Sequence, residues 1–320
     1  MTRGGMGVAE RHREARPAQS VRSMEPPESD PSANCPLPIA DCGRPEGPTP
    51  RNRALLAWYR RNARDLPWRR DRDPWPVLVS EVMLQQTQAG RVAPFFERFI
   101  TRFPTAEAAA AATPDVVIQA WVGLGYNARA RRLHAAARRI AAEGWPQTAA
   151  GLRSLPGAGP YTAAAVASIA FGERIAAVDT NLRRVLSRWV GRPLHGADLA
   201  TTAARHLDGD AGAWNQAVMD LGAVVCRPRQ PACGACPVAT WCADPTVYVA
   251  PPRQSIFAGS DRQMRGAVVR VLAGRSWSTP AEIAAESGHP LHRVADAAGR
   301  LVAEGLLETG ARGFRLNRIG

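Results

Sequence analysis

The sequence predicts an all-α body followed by a small α+β unit, and three observations carry that expectation. Helix boundaries recur as a capping residue followed by proline, with a glycine at the far end. No stretch of useful length alternates apolar and polar residues with period two, so extended sheet is not expected. The last 60 or so residues read as helix, helix and hairpin, the outline of a winged helix.

The elements follow in order. Residues 1–50 carry Pro, Glu, Arg, Ser and Gly with few large apolar side chains, the composition of a disordered tail. Thr113 and Pro114 open a helix over DVVIQAWV that Gly123 closes. Ala128–Glu143 places Leu133, Ala136, Ala137 and Ile140 at helical spacing and stops at Gly144. Pro160 opens YTAAAVASIAF, and Gly172 ends it. Residues 246–261, with Pro251 and Pro252 in tandem, form a linker. In the unit 262–320, Thr279 and Pro280 cap AEIAAESG, Leu291–Glu304 is amphipathic, and two short strands flank Gly310 and Gly313. That unit serves either as an auxiliary DNA or partner contact or as a packing appendage.

With 320 residues the chain is long enough for two domains and a sizeable core. No run approaches the ~18 apolar residues of a membrane span, and the N-terminus MTRGGMGVAERHREARP has no apolar signal core. A cytoplasmic location and no membrane partner are therefore expected. All 41 basic residues are arginine, and the net charge is +13. Such a balance suits a polyanionic partner, because the planar guanidinium fork matches phosphate; a high-GC coding bias with a solvated basic surface would give the same count.

Four of the six cysteines fall in Cys226-x6-Cys233-x2-Cys236-x5-Cys242. Cys35 and Cys42 stand apart and are expected to be reduced and idle. Four soft thiolates at short spacing can wrap a zinc ion or an iron–sulfur cluster. Structural zinc usually takes two close pairs or a Cys/His mixture; a single C-x2-C with outer ligands six and five residues away favours a [4Fe–4S] cubane. Arg227 and Arg229 would then ride on a loop pinned at both ends, aimed at phosphate or simply solvated. Leu155-Pro-Gly157-Ala-Gly159 has the two glycines of a helix-hairpin-helix turn, which lets backbone N–H groups approach a phosphate. Asp179 lies 20 residues beyond Gly159 at a helix start; taken alone it reads as an N-cap.

The hairpin, the following aspartate and the cysteine spacing together resemble the helix-hairpin-helix DNA glycosylase superfamily in its iron–sulfur branch. Leu66–Val92 (LPWRRDRDPWPVLVSEVMLQQTQAGRV) and GLGYNARARRLH from Gly123 are similar to the A/G-specific adenine glycosylases of that branch. The resemblance spans about Leu55–Ala243, some three-fifths of the chain. It implies two helical lobes: a six-helix barrel with the hairpin over 73–172, and a cluster domain from 51–72 and 173–245. Endonuclease III, in the same branch, uses a lysine after the hairpin to attack the sugar; this chain has Tyr161 there and no lysine anywhere. Glycosylase action without a lysine-based lyase step is the consequence.

The resemblance also assigns roles. Glu81 protonates adenine at N7 from an apolar pocket, and Asp179 stays ionised against the oxocarbenium-like sugar. Asn181 holds a phosphate or the water, Tyr161 hydrogen-bonds the acid, and Arg69 lines the pocket. Gln86 and Tyr126 match the intercalating positions that fill the gap left by a flipped base, with Leu84 and Thr87 beside them, and Gly157 and Gly159 meet the backbone. Cys226, Cys233, Cys236 and Cys242 ligate the cluster. Arg129, Arg131, Arg132, Arg183 and Arg184 are expected to border DNA. The partner implied is double-stranded DNA with adenine opposite 8-oxoguanine or guanine, bound by a monomer in base excision repair at the nucleoid.

The chain departs from this pattern in three places. No Nudix-like domain follows Asp244, so strong 8-oxoguanine discrimination is not implied. Thr180 stands where glycine is common, as in relatives that remove mispaired thymine, and Asn127 replaces an aromatic or small residue. A thymine or uracil mismatch glycosylase and a non-catalytic iron–sulfur DNA-binding protein are the alternatives. Glu81 argues against the first, and the presence of both carboxylates argues against the second.

Overall fold

A computed structural model describes residues 48–250 and 256–319. Cys35, Cys42, most of the expected tail and the Pro251–Pro252 pair lie outside the described residues. Helix α1 spans Pro50–Asn62, starting where Thr49 accepts the Asn52 N–H and proline takes the first helical position. A 3-10 turn at Pro67–Arg69 leads to α2 (Pro74–Leu84), α3 (Ala89–Arg102), α4 (Ala106–Ala111), α5 (Pro114–Trp121), α6 (Ala128–Glu143), the single turn α7 (Ala149–Leu152) and α8 (Pro160–Ala170). Then come α9 (Thr180–Trp189), α10 (Gly196–His206) and α11 (Ala211–Asp220), which runs into a π-helical turn, Leu221–Val225. Proline at the first turn of α1, α2, α5 and α8 and glycine after α6 confirm the boundary logic. No helix among the described residues is long and apolar enough to cross a membrane.

The apolar side chains gather into two clusters. One joins α2 to α8 through residues such as Trp75, Leu78, Phe99, Trp121, Leu133 and Ile169. The other packs Leu55 of α1 against Leu182 and Leu186 of α9, Leu199 of α10 and Trp214 of α11, and extends to Val238 beside the cysteines. α11 also packs on α8, where an added Cβ on Gly212 would come within 2.9 Å of the Ser168 carbonyl oxygen.

The C-terminal unit holds α12 (Asp261–Ala273), α13 (Pro280–Ser287), α14 (Leu291–Ala303) and an antiparallel pair, β1 (Leu307–Gly310) and β2 (Gly313–Leu316), in register Leu307–Leu316 to Gly310–Gly313. Thr279 and Glu282 form a reciprocal capping box at the start of α13. Ser278 bridges to Phe314 beside the hairpin, completing a small wing. Although the sequence reads this unit as separate, its core residues Val268, Leu272, Val294 and Leu301 belong to the same apolar cluster as α2–α8. The Arg318 Nε–Asp115 Oδ2 pair at 3.0 Å ties it further to α5. Sequence periodicity shows each helix's apolar face but not which neighbour covers it.

Candidate active site

Glu81 sits on α2, whose buried run Trp75–Met83 packs on α8. That packing fixes the carboxyl among apolar neighbours, and the side chain is only 6% exposed. Its Oε2 is buried with no hydrogen-bond partner. Burial lifts its pKa from 4.5 to about 7; the Tyr161 hydroxyl and the Arg69 guanidinium oppose the rise, and the Asp179 carboxylate adds to it. A buried carboxyl with one oxygen unpartnered and a pKa near neutrality has the properties required of a proton donor. Tyr161, on α8, directs its hydroxyl to Met219 Sδ at 3.7 Å, and burial raises its pKa far above the usual phenol range.

Asp179 is both the N-cap of α9 and part of the same cavity. Its Oδ1 accepts the Leu182 N–H at 2.6 Å, and its Oδ2 accepts Asn181 Nδ2 at 2.8 Å. Burial pushes its pKa up, while those two donors and the Arg184 guanidinium pull it back toward the charged form. Asn181 therefore holds the aspartate itself, and its Oδ1 accepts from Arg184 Nη2 at 2.8 Å. The segment leading to Asp179 is pinned by Asn215, whose amide spans Ala177 N, Ser168 Oγ and the Ile175 carbonyl, each at 2.9 Å.

Glu81, Asp179, Asn181, Tyr161, Arg69 and Leu84 line one cavity of about 650 Å³ between the two apolar clusters. Arg69 reaches it clamped to Asp220, with Nη1–Oδ2 at 2.7 Å and Nη2–Oδ1 at 2.9 Å, and Arg64 Nε joins the same carboxylate at 2.7 Å. Asp220 is fully buried; burial works against its charge, but these arginines hold its pKa below the ordinary range. Sequence reading missed Asp220, because an acid at the end of α11 gives no local hint of partners more than 150 positions away.

The turn after α2 carries the intercalation candidates. Among the described residues, Gln86 (φ 59°) and Tyr126 (φ 50°) are the non-glycine residues with left-handed backbones. Such strain persists where surrounding structure imposes it, and it clusters at working sites. Gln86 is exposed, whereas Leu84, Thr87 and Tyr126 are half-buried. Behind the turn, Arg129 donates Nη1 to the carbonyls of Val82, Met83 and Gln85 at 2.9, 2.7 and 2.5 Å. Gln85, also missed in the sequence, donates Nε2 to the Gly157 carbonyl and to Thr162 Oγ1, both at 3.2 Å.

Two of the expected DNA-bordering arginines are thereby corrected. Arg129 is 5% exposed and Arg184 4%; both cap inward-facing carbonyls, Arg184 those of Cys226 and Gly222 at 2.8 and 2.7 Å. Arg131 and Arg132 remain exposed. In the hairpin, Gly157 needs its φ of 87°, and a Cβ there would press on Arg132. Gly159 has an ordinary extended backbone and open space where a side chain would point, so any pressure toward glycine comes from whatever approaches it from outside.

The π-helical turn brings the chain to Cys226, and here a Cβ on Gly222 would lie 2.6 Å from that of Asn181. The loop beyond is held by Arg188, fully buried, which donates to Cys226 Sγ at 3.1 Å and to the carbonyls of Arg227 and Pro228 at 2.8 Å. Arg227 and Arg229 themselves are exposed. Cys226, Cys233, Cys236 and Cys242 all line one cavity of about 140 Å³. Burial pushes the bare thiol of Cys242 to about 11 and raises Cys236, and the neighbouring sulfurs add to both shifts. Four thiolates are stable there only against compensating positive charge.

The fold and site have known counterparts. Residues 79–205 match the family described as HhH-GPD superfamily base excision DNA repair protein. The adenine DNA glycosylase of Mycolicibacterium smegmatis is 45% identical over 243 residues, covering 71% of this chain and 80% of that protein. Its human namesake is 43% identical over 210 residues, 59% of this chain and 38% of that one. A thermostable thymine-DNA glycosylase superposes with a TM-score of 0.56 at 30% identity, over 60% of this chain and 93% of that chain. An endonuclease III–DNA complex shares the fold, with a TM-score of 0.51 at 21% identity over 61% and 94% of the two chains. With a carboxyl pair in the inter-lobe cavity and a relative 45% identical over 80% of its own length, the chain belongs to the adenine DNA glycosylase family of the HhH-GPD superfamily of base excision DNA repair proteins.

Proposed function

We propose that this glycosylase hydrolyses the N-glycosidic bond of adenine paired with 8-oxoguanine or guanine, leaving an abasic site in an intact strand. The observation that carries the reading is Glu81: a buried carboxyl whose Oε2 has no hydrogen-bond partner, with a pKa near 7, sharing a cavity with Asp179. Adenine is a poor leaving group until a ring nitrogen is protonated. Glu81 supplies that proton, the electron pair of the breaking C1′–N9 bond goes to the base, and Asp179 faces the cationic sugar. Water then adds to C1′ and gives up its proton to the Asp179 carboxylate. Asn181 keeps Asp179 oriented, and Asp220 keeps Arg69 at the cavity wall. Gln86 and Tyr126 fill the space vacated by the base. No lysine is present to form a Schiff base, and the reading has the protein acting as a monomer at the nucleoid.

The four cysteines hold a [4Fe–4S] cluster in this reading. All four cysteines border one cavity of about 140 Å³, which supports a shared centre. The cluster would fix the loop 226–242 through its cysteines, and no step of bond cleavage passes through it. Arg227 and Arg229 are then phosphate contacts. Replacing either with alanine is expected to weaken binding to all duplexes alike and to reduce the slope of log K against log salt by about one. Binding titrations from low to moderate salt check this.

Thr180 supports a second reading, mismatch thymine removal. It is exposed at the rim of the cavity, and a thymine-DNA glycosylase is among the structural neighbours. Duplexes with A opposite 8-oxoguanine, A opposite G, T opposite G and U opposite G, each analysed with and without hot alkali, separate the two. Release of adenine, with strand breakage only after alkali, supports the first. Release of thymine or uracil alone overturns it.

A further inference from the structure

The two strained turns at Gln86 and Tyr126 rest on one side chain, Arg129 of α6. Besides the three carbonyls at the end of α2, its Nη2 donates to Thr87 Oγ1 at 3.2 Å and to the Gly125 carbonyl at 3.0 Å, and its Nε donates to the Tyr126 carbonyl at 3.4 Å. The guanidinium also lies over the Trp121 and Tyr126 rings, 5.4 and 5.3 Å from their centroids. One rigid fork thus holds the residues on either side of Gln86 together with the turn that presents Tyr126.

The end of α2 creates the need for it. A helix finishes with carbonyls that have no partner inside the helix. α2 has no basic residue in its last turn, and the chain leaves the helical path at Gln85, so these carbonyls take their donor from α6 instead. Burial pulls the Arg129 pKa down to about 10, which leaves it charged at neutral pH against the negative end of the helix. Gln85, whose carbonyl Arg129 holds, reaches the opposite way through its amide to Gly157 and Thr162. The turn is therefore braced to α6 on one side and to the hairpin on the other. Left-handed backbones at Gln86 and Tyr126 persist because this bracing imposes them.

We propose that Arg129 is a positioning residue for nucleotide extrusion: it cross-braces residues 84–87 and 123–126, so that Gln86 and Tyr126 enter the duplex as a preset pair. The inference rests on the adenine reading above. Arg129 is itself 5% exposed and acts through the two turns, not on the base or the sugar. Fixing both side chains before DNA arrives lowers the ordering cost of inserting them together. A lysine in its place keeps the charge but has no planar fork to span both turns.

The test reads extrusion apart from cleavage. A duplex carries 2-aminopurine, which brightens on leaving the base stack, in place of the adenine opposite guanine. Glu81→Gln protein in excess binds it without base release. Arg129→Lys in that background is expected to slow the fluorescence rise by about tenfold or more, and in the Glu81 enzyme to slow single-turnover adenine release by a similar factor. His134→Ala removes another buried bond of the same helix, from the ring to the Ala112 carbonyl at 2.9 Å, and leaves both rates within about twofold. If Arg129→Lys melts below the assay temperature, Arg129→Gln takes its place with the same expectation. Failure of both to fold would make Arg129 a residue of the core alone and overturn the proposal. So would no rise with Arg129 intact, a rise unchanged in the variant, or a His134→Ala protein that reproduces the loss. A wild-type protein that releases no adenine, while the Glu81→Gln protein still gives a rise that depends on Arg129, would fail the adenine reading and leave this one standing.

Discussion

Glu81→Gln is expected to abolish base release, lowering the single-turnover rate by about 10³-fold or more, within the range for a lost general acid, while leaving the protein more stable at neutral and alkaline pH. The amide fills the same space but has no proton to give. The stability gain follows from the raised pKa. The folded chain keeps the Glu81 proton up to about pH 7, whereas an unfolded chain gives it up near 4.5. Between those values the folded state binds more protons, so stability falls as pH rises and stays low above 7. The difference amounts to roughly 3 kcal/mol above pH 7 at about 1.4 kcal/mol per pKa unit. Thermal melts at pH 4 and pH 8 check it: the variant should gain several degrees over wild type at pH 8 and little at pH 4. A variant that is inactive and also less stable at both pH values would mark Glu81 as an ordinary structural residue.

Asp220→Asn is expected to cost about 3–5 kcal/mol, because it leaves Arg69 and Arg64 facing a neutral amide where they now share a buried carboxylate. For a chain of this size that is on the order of a 10 °C drop in melting temperature. Catalysis should fall as well, since Arg69 is at the cavity wall and its charge opposes the rise in the Glu81 pKa. With Arg69 displaced, the alkaline limb of the rate profile moves to higher pH. A melt unchanged within 2 °C would show that Asp220 does not bear this load. The effect is lost progressively at low pH, because the Asp220 pKa is depressed and the wild-type carboxylate itself is protonated there.

Much of the fold, and several residues that line the candidate cavity, were legible in the sequence, and the reasons differ by element. Thr113–Pro114, Pro160 and Thr279–Pro280 mark helix starts because caps and first-turn prolines act within a few residues. The hairpin glycines and the four cysteines were readable for the same reason: their spacing is local. Arginine was the opposite case. With every basic residue an arginine, composition gives no contrast between a cation meant for phosphate and one meant for a buried carbonyl. Arg129, Arg184 and Arg188 were thus indistinguishable from Arg227 until their partners, some 40 positions away, were placed. Asn215 and Asp220 lie in the same blind spot, since each acts only through segments the linear pattern cannot bring together.

Asp179 caps α9 and also lines the cavity, so its N-cap role and the proposed catalytic one are compatible. It accepts the Leu182 N–H and is braced by Asn181 while it faces the cavity; these donors offset part of the rise that burial imposes on its pKa. Glu81, by contrast, has no donor on Oε2 and is surrounded by apolar residues. Burial raises the pKa of both carboxyls, but only Asp179 has several donors that offset the rise.

The most direct test of this account is the pH dependence of single-turnover adenine release from a duplex carrying A opposite 8-oxoguanine. A required acid with a pKa of about 7 makes the rate fall roughly tenfold per pH unit above that value, and Asp179 bends the profile down at low pH, giving a bell. Glu81→Gln should lose the alkaline limb along with the activity. A rate that climbs steadily with pH, or an alkaline limb that survives in Glu81→Gln, would contradict the assignment of Glu81 as the proton donor.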